Sequence, residues 1–460
     1  MESKFLGLFI TSMDKSKIKY LFLGLILITS IFLRLHKLPD RMVFDWDQER
    51  DAFAVNTIIN EHKPLLIGPR VMNDSGFMLG PYFFYILAPF YLITNFSPYA
   101  NVTFIGIYSA IFFIFSFFTI KKLISEKTAI LFCSIWSLLP LAINIDTIAW
   151  NPLLVPFFII LFIDFLGKLP PLKKTTWLIL GLIIGLGINI HVQLIVLALW
   201  LFFYFADKKS IKTIFQYSPF IIIGILITFI PLLIFDLRHN WLNLHLVLNF
   251  IQTTNVQKHG LSFLPVWNNF VYGLTYINFP IFSILFWVII GIILLFFAKN
   301  SKIIKSIALV WFTWPIIFIL YGKRPSEYYF NFTLPLIVLA FSLLLSKIIK
   351  SNLIIFILFI ILSSISINNK IKNPGKTPFS LTNKMKVAEF IKTKVADQKF
   401  NLSYSVPSGY NSGYEYLLKV NKANPTNNPS DPLIQIVIPP VSDNIVFGGI
   451  GIQLPQTFLH

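Results

Sequence analysis

The stretch FDWDQERD, residues 44 to 51, places four carboxylates within eight residues: Asp45, Asp47, Glu49 and Asp51. Acidic residues are otherwise scarce, because the 460-residue chain carries a net charge of +18 and only 13% charged residues. The stretch follows shortly after the first hydrophobic segment, which ends near residue 36. The chemistry open to these acids therefore depends on the side of a membrane on which they lie.

The composition is that of a polytopic membrane protein, with 56% hydrophobic and 17% aromatic residues and repeated long runs of Ile, Leu and Phe. The single cysteine, Cys133, lies inside such a run, which excludes an internal disulfide and a cysteine metal cluster. A charge of +18 is also found in nucleic-acid-binding proteins, but here the lysines fall between the apolar segments. Membrane topology explains that pattern, and no nucleic-acid partner is expected.

About eleven segments are long enough, or nearly so, to span a bilayer. They run approximately from 18 to 36, 100 to 120, 128 to 145, 152 to 167, 175 to 190, 192 to 206, 216 to 236, 274 to 298, 303 to 320, 329 to 346 and 352 to 367. A further apolar stretch, Met78 to Thr94, contains Gly80, Pro81 and Pro89 and would be either a twelfth span or a helix lying in the interface.

Lysine clusters decide between these two topologies. They lie at 15 to 19, 121 to 127, 168 to 174, 208 to 212, 299 to 305 and 347 to 350. With residues 78 to 94 in the interface, every cluster falls in a cytoplasmic loop, as the positive-inside rule requires. We therefore predict eleven spans, with the N-terminus inside and the C-terminus outside. The first outer loop then covers residues 37 to 99, and nearly all chemically capable side chains, Asp74 and His259 included, share the outer face.

The composition changes after the last span. We predict a transmembrane module over residues 1 to 368 and a small extracytoplasmic α/β unit over residues 369 to 460. Within this unit, the apolar spacing over 383 to 396 predicts an amphipathic helix. The stretches FNLSYSV (400 to 406), LIQIVI (433 to 438) and IVFGGIGI (445 to 452) are typical of short strands.

The acidic stretch has two interpretations on its own residues. It is either the solvated, acid-rich start of a helix or a catalytic group. Asp45 and Asp47 precede the helical pattern and sit beside Phe44 and Trp46. Partial desolvation next to aromatic rings raises the pKa of a carboxyl group towards the range of a general base.

Several motifs resemble those of one family. DQERDAFA, with Asp47 followed by Gln48, Glu49 and Arg50, is similar to the first-outer-loop signature of GT-C membrane glycosyltransferases. Within that superfamily it resembles glycosyltransferase family 39, which contains protein O-mannosyltransferases and lipid A aminoarabinose transferases. GPYFFYILAPFY resembles the Pro-rich membrane-parallel helix that follows, while NIDTIAWNP and FDLRHN resemble later outer segments. The resemblance covers roughly residues 1 to 370.

The resemblance implies a GT-C fold and an inverting transfer of a sugar from a polyprenyl-phosphate donor on the outer face. It implies Asp47 as catalytic base and no required cofactor. The sequence departs from the pattern at Gln48, where the family usually has Glu. The second acidic position of the family is matched either by Asp146 or by Asn151. The acceptor, whether a protein hydroxyl, a lipid headgroup or a glycan, stays open.

Cationic side chains are needed to stabilise the negative charge of the lipid phosphate as it leaves the sugar. Arg324, in YGKRPSEYY, is the best candidate because a planar guanidinium matches phosphate oxygens, and Lys323 is a second candidate. The alternative is that the two residues only mark the end of a loop. Arg238 and His239 could also contact the donor, or could simply snorkel at the end of a span.

The remaining candidates are His191, Gln193, Tyr328 and a D-x-D pair. His191 lies in NIHVQ and is either a structural histidine or a site residue. Tyr328 belongs to the same stretch as Arg324. Asp45 and Asp47 could together hold a divalent cation, although two oxygen ligands do not make a metal site.

The alternative class is a transporter or a lipid-linked glycan flippase. Such proteins carry ionisable groups near the bilayer midplane. Here the middles of the spans are nearly free of charge, which favours the enzyme.

Overall fold

A computed structural model describes residues 15–71, 76–169, 173–205, 211–256, 261–299, 301–407, 409–423, 425–442 and 444–458. Asp74, His259 and part of the 208 to 212 lysine cluster lie outside these residues. The helices that precede the C-terminal unit are α1 (Lys15–Leu35), α2 (Trp46–Ile59), α3 (Tyr82–Ile93), α4 (Ala100–Leu123), α5 (Glu126–Leu138), α6 (Pro140–Ile145), α7 (Val155–Leu166), α8 (Lys174–Ile190), α9 (Val196–Tyr204), α10 (Ile211–Arg238), α11 (Leu242–Val256), α12 (Leu264–Thr275), α13 (Pro280–Ala298), α14 (Lys302–Tyr321), α15 (Leu334–Ile348) and α16 (Asn352–Lys372).

Six of the described helices are long and apolar enough to cross a membrane, namely α1, α4, α10, α13, α14 and α16. The other five expected spans are also helical but shorter. Pro140 separates α5 from α6, because its ring cannot occupy a helix interior without disrupting it. Short 3₁₀ turns precede α7, α9 and α15, at Asn151–Leu154, Val192–Ile195 and Glu327–Phe330. The chain is a multi-pass membrane protein.

The lysine-bearing loops lie together at one end of the bundle. Glu126 accepts ion pairs from Lys19 at 3.0 Å and from Lys121 at 3.2 Å, which joins the start of α1 to the α4–α5 turn. Asp164, at the end of α7, pairs with Lys168 at 2.6 Å. These contacts hold loops that the positive-inside rule assigns to one face.

The C-terminal unit lies at the opposite end, against helix α2. Glu49 accepts hydrogen bonds from the backbone N–H groups of Gly413 at 2.7 Å and Tyr416 at 3.0 Å. The chain must therefore cross the membrane an even number of times between α2 and this unit. Helix α3, which has Pro89 in its interior, would make that number odd if it were added to the ten expected spans. The contact supports an interfacial position for α3.

Close backbone packing positions the end of helix α8. A Cβ atom on Gly181 would lie 2.1 Å from the Ile221 carbonyl oxygen, and one on Gly224 would lie 2.3 Å from that of Leu178. Helices α8 and α10 therefore touch backbone to backbone, as small residues allow in membrane bundles. This contact fixes α8, whose last residue precedes His191.

The C-terminal unit contains α17 (Leu381–Val395), β1 (Asn401–Ser405), α18 (Tyr414–Val420), β2 (Leu433–Val437), β3 (Ile445–Phe447) and β4 (Ile450–Gln453). The sheet order is β1-β2-β4-β3, with β1 and β2 parallel and the other pairs antiparallel. The helix predicted over 383 to 396 is confirmed as α17. The prediction of a single strand over 445 to 452 is wrong: this stretch forms the two strands β3 and β4, because Gly448 and Gly449 both take positive φ and form the turn between them. The expected boundary after residue 368 falls in the last turn of α16.

Candidate functional site

A polar cavity of about 500 Å³ lies on the face that carries helix α2 and the C-terminal unit. We call it the central cavity. Its wall is built by α2, by residues 69 to 71 and Leu79, by the 3₁₀ turns before α7 and α15, and by the α8–α9 turn. It is lined by Trp46, Asp47, Arg50, Pro69, Arg70, Val71, Leu79, Trp150, Asn151, Pro152, His191, Tyr321, Arg324, Ser326, Tyr328 and Tyr329. Segments that are far apart in sequence thus bring six of the predicted site residues together.

Asp47 is the acid of the first outer loop that faces the central cavity. It lies in the first turn of α2, and its side chain is 35% exposed. Its two aromatic neighbours in the sequence do not bury it, since Trp46 is 62% exposed and Phe44 lies in the core. The Asp47 carboxylate instead pairs with an arginine.

Arg50 connects Asp47 to the protein interior. Its guanidinium contacts Asp47 Oδ1 at 2.7 Å and Asp51 Oδ1 at 2.6 Å. Asp51 is fully buried, and its Oδ2 atom has no hydrogen-bond partner among the described residues. Burial raises the pKa of Asp51 to about 7, against the opposing effect of Arg50. Asp51 was not among the predicted site residues.

Asp45 and Glu49 project towards the C-terminal unit instead of the central cavity. The Asp45 carboxylate pairs with the ammonium of Lys384, and Glu49 binds two backbone N–H groups. Burial raises the pKa of both carboxyl groups, opposed by Lys384 at Asp45 and by the backbone hydrogen bonds at Glu49. Gln48 accepts from the Asp45 N–H and donates to the Ala149 carbonyl oxygen at 3.1 Å. It thereby fastens α2 to the segment that precedes Asn151.

The predicted D-x-D cation pair is divided between two surroundings. Asp45 is occupied by Lys384, whereas Asp47 faces the central cavity and pairs with Arg50. No cluster of three or more His, Cys, Asp or Glu side chains suited to a metal occurs in the part of the chain that the structure describes. The charged side chains that line the central cavity are thus one carboxylate, that of Asp47, and three arginines.

Three arginines, Arg50, Arg70 and Arg324, line the central cavity. Arg70 lies in a short antiparallel pairing with Met78, in which Gly68 N–H donates to Leu79 O at 2.7 Å and Val71 N–H to Phe77 O at 2.8 Å. Arg324 is exposed and follows Gly322, whose φ of 71° ends helix α14. Arg70 was missed as a site residue, because no local pattern separates it from any other loop arginine.

His191 is a buried, neutral member of the wall. Gln193 N–H donates to its Nδ1 at 3.3 Å, so the ring proton resides on Nε2. Burial lowers the pKa of His191 to about 3. Its ring packs edge-on against Tyr328 and Tyr329 at 5.6 and 5.0 Å between centroids. His191 can therefore act as a hydrogen-bond donor but not as a cation.

Gln193, Asn151 and Tyr328 surround this histidine. The Gln193 amide donates to Tyr328 O at 3.2 Å, and its side chain lines a small apolar cavity of about 100 Å³ beside the central one. Asn151 donates to Ile190 O at 2.7 Å. These bonds join the turn before α7 to the end of α8, and the turn before α9 to the turn before α15.

Four predicted residues are placed elsewhere. Asp146 is buried in an ion pair with Arg34 at 2.7 Å, so Asn151, and not Asp146, lines the central cavity. The Lys323 ammonium lies over the Phe250 ring at 4.4 Å. Arg238 and His239 are exposed at the end of α10, where the His239 ring stacks on Phe235 at 4.2 Å.

No family model matches the sequence, and no curated protein matches it. Solved structures match it in fold. ArnT from Cupriavidus metallidurans bound to undecaprenyl phosphate has a TM-score of 0.59 at 11% identity, covering 93% of this chain and 94% of that chain. The Archaeoglobus fulgidus oligosaccharyltransferase AglB, in complex with an inhibitory peptide and a dolichol-phosphate, has a TM-score of 0.54 at 13% identity, covering 91% and 65%. The chain thus spans just under two thirds of AglB. The GT-C fold implied by the motifs is confirmed.

Proposed function

We propose that the chain is an inverting glycosyltransferase that moves a sugar from a polyprenyl-phosphate donor to an acceptor on the extracytoplasmic face of the cytoplasmic membrane. The observation that carries the proposal is the central cavity, where one carboxylate, Asp47, faces Arg50, Arg70 and Arg324. Bound polyprenyl phosphates in ArnT and AglB, which share the fold, support a lipid-phosphate donor.

The reaction needs a base and a place for the leaving phosphate. Asp47 takes the proton of the acceptor hydroxyl as its oxygen bonds to the anomeric carbon, and the bond from that carbon to the phosphate oxygen breaks with inversion. The arginines then face a polyprenyl phosphate that has gained negative charge. Fixed cations aimed at developing charge lower the barrier without reorganising.

Arg324 and Arg70 are the phosphate ligands in this proposal, and Arg50 is the positioning group of Asp47. Arg324 is exposed, and no ion-pair partner for it occurs within the described residues. Arg50 already pairs with Asp47 and Asp51, which leaves it less available to a phosphate. His191 supplies a neutral N–H donor beside them.

The lipid chain has an apolar surface next to the central cavity. A groove of about 550 Å³ lies between α8, α10 and α11 and shares Leu79 with the wall of the central cavity. Its lining is mainly Ile, Leu and Phe side chains of helices that face the bilayer. A polyprenyl chain in this groove would place its phosphate at the polar end.

The proposal requires no cofactor, because arginines supply the positive charge at the phosphate. A divalent cation at Asp47 would have to compete with Arg50, and one at Asp45 with Lys384.

The test is transfer from radiolabelled polyprenyl-phosphate sugars to membrane extract by the purified protein. Asp47→Asn keeps shape but removes the base, so transfer should fall by roughly 10² to 10⁴ with little change in donor binding. Arg324→Ala should weaken donor binding by about ten- to a hundredfold, with partial recovery in Arg324→Lys.

Glu61→Gln is the matched control, since this exposed acid of the same outer loop does not line the central cavity. It should keep wild-type transfer and wild-type stability. If neither Asp47→Asn nor Arg324→Ala changes transfer, the glycosyltransferase proposal fails and a transporter becomes the better hypothesis.

A further inference from the structure

An open cleft of about 490 Å³ lies where the membrane-spanning helices α1 and α16 end, at the end of the bundle that carries the C-terminal unit. We call it the interfacial cleft. It is lined by Lys37, which follows α1, and by residues 371 to 376, which end α16 and begin the link to α17. None of these residues lines the central cavity, so the interfacial cleft is a separate feature of the surface.

The interfacial cleft is strongly basic. Lys37, Lys372 and Lys376 line it, and all three side chains are exposed. Lys370 lies beside them in the last turn of α16, and Arg41 is near enough for its charge to act on that of Lys370. None of these five cations forms an ion pair with an acidic side chain in the part of the chain that the structure describes. Their positive charge is therefore left to a partner from outside the protein.

Membrane topology and helix dipoles do not account for this cluster. The loops whose lysines pair with Glu126 and Asp164 lie at the opposite end of the bundle, where the positive-inside rule gathers such residues. A helix dipole favours cations in the last turn, which explains Lys370 and Lys372. Lys37 and Lys376 lie outside both helices. Because like charges in one cleft repel each other, an anion between them lowers the energy.

The position of the interfacial cleft identifies the class of anion. Ile371 on its wall is 52% exposed, and so are Leu362 and Ile365 further down α16, on a helix apolar enough to face lipid. The cleft thus combines a basic rim with an apolar surface below it. An anionic membrane lipid has the matching parts, since its acyl chains hold its phosphate at the depth of the lysines. A free phosphate ion would use the lysines alone.

We propose that the interfacial cleft binds the phosphate of an anionic membrane lipid. The bound lipid joins the end of α1 to the link between α16 and α17. These two parts of the chain already meet beside the cleft, where Thr377 N–H donates to Asp40 O at 3.2 Å and Leu381 N–H to Met42 O at 3.0 Å. The lipid therefore braces the attachment of the C-terminal unit to the transmembrane module. This inference does not depend on the proposed function.

The test is hydrogen exchange of the backbone in nanodiscs of phosphatidylcholine, with and without phosphatidylglycerol. Peptides that contain the Thr377 and Leu381 amides should exchange about tenfold more slowly when phosphatidylglycerol is present at about ten times its Kd, because opening then requires release of the lipid. The protection should weaken at high salt, which screens exposed charges.

The triple variant Lys37→Gln, Lys372→Gln, Lys376→Gln should lose this protection. Each lysine close to an anionic lipid contributes roughly fivefold in affinity, so three substitutions together raise the Kd far above the lipid concentration used. In phosphatidylcholine alone, the variant should exchange and unfold like wild type, since exposed lysines without ion-pair partners contribute little to stability.

The matched control is the triple variant Lys386→Gln, Lys399→Gln, Lys422→Gln. It removes the same charge from exposed positions of the C-terminal unit that do not line the interfacial cleft. It should keep the protection by phosphatidylglycerol at wild-type strength. A second control replaces phosphatidylglycerol by inorganic phosphate, compared with chloride at the same ionic strength, and should give no protection.

Each alternative has its own result. Equal protection of wild type and the Lys37, Lys372 and Lys376 variant, or no protection of either, would show that the cleft does not bind the lipid. Equal loss in both triple variants would indicate a general attraction between a basic protein and an anionic bilayer instead of a site. Full protection by inorganic phosphate would make the ligand a free anion. Glycosyl transfer is not measured in any arm, so failure of the proposed function would leave these results unchanged.

Discussion

Lys384 of the C-terminal unit donates a hydrogen bond to the carboxylate of Asp45, two residues before Asp47 in the chain. Its ammonium also contacts the carbonyl oxygens of Phe44 at 3.0 Å and Ser412 at 2.7 Å, and its side chain is fully buried. Glu49 provides a second attachment one turn further along α2. The C-terminal unit thus holds the first turn of the helix that carries Asp47.

Lys384→Met should loosen this attachment. It leaves the Asp45 carboxylate without its cation, and breaking a buried ion pair costs about 3 to 5 kcal/mol, with less expected here because Asp45 is 18% exposed. We expect a lower thermal unfolding midpoint and faster proteolysis between α16 and α17. Lys386→Met, on an exposed position of the same helix, is the control and should leave both unchanged. Equal behaviour of the two variants would show that Lys384 does not anchor the unit.

Asp51 should make stability depend on pH. Its pKa is about 7 in the folded protein, raised by burial from 3.8, so the folded state holds a proton that the unfolded state has lost. Stability should therefore fall as pH rises from about 4 to about 7 and then level off, by at most about 4 kcal/mol from this group. The groups around Asp51 are Arg50, Asp47 and the Tyr91 phenol.

The measurement is the unfolding midpoint between pH 4.5 and pH 9 for wild type and Asp51→Asn. The variant keeps an oxygen for Arg50 but has no proton to lose. The difference in unfolding midpoint between Asp51→Asn and wild type should therefore shift in favour of the variant as pH rises. Asp397→Asn, at a fully exposed position, serves as control. Parallel pH profiles for wild type and Asp51→Asn would disprove the shifted pKa.

Sequence patterns predicted the parts of the site that lie at the ends of spans. Asp47, Asn151, His191 and Arg324 each follow or precede an apolar segment on the face without lysine clusters, and they converge on one cavity. Arg238 satisfied the same criterion but sits at an exposed end of α10. Periodicity and topology predict where a helix ends, whereas the direction in which the side chains at that end point depends on packing.

Long-range partners could not be predicted from the sequence. Lys384 is 339 residues from Asp45, and nothing in its local pattern distinguishes it from the other lysines of α17. The strand pattern over 445 to 452 was also misleading, because apolar residues continue through the Gly448–Gly449 turn. Apolar spacing reports burial on both arms of a hairpin and does not show the turn between them.

The orientation of the bundle gives the third prediction. Two variants, Lys122→Cys and Asp397→Cys, each carry a single cysteine once Cys133 is replaced by Ala. Residue 122 lies at the lysine-rich end of the bundle, and residue 397 lies on the C-terminal unit. An impermeant thiol reagent should label the residue-397 variant in intact cells and the residue-122 variant only after permeabilisation, as the positive-inside rule requires. The reverse pattern would place the central cavity in the cytoplasm.

The last prediction separates Asp146 from Asp47. Asp146 is buried against Arg34, accepts a hydrogen bond from the Trp136 indole at 3.2 Å, and does not line the central cavity. Asp146→Asn leaves the buried guanidinium without its counter-charge, a change that costs roughly 3 to 5 kcal/mol. We expect a large fall in the unfolding midpoint, whereas Asp47→Asn should unfold near the wild-type temperature and lose transfer. The double variant Arg34→Met with Asp146→Leu should recover much of the lost stability, because apolar side chains can replace a buried ion pair. If Asp146→Asn instead keeps its stability and abolishes transfer, Asp146 rather than Asn151 would match the second acidic position of the family that the motifs resemble, and its role would be catalytic.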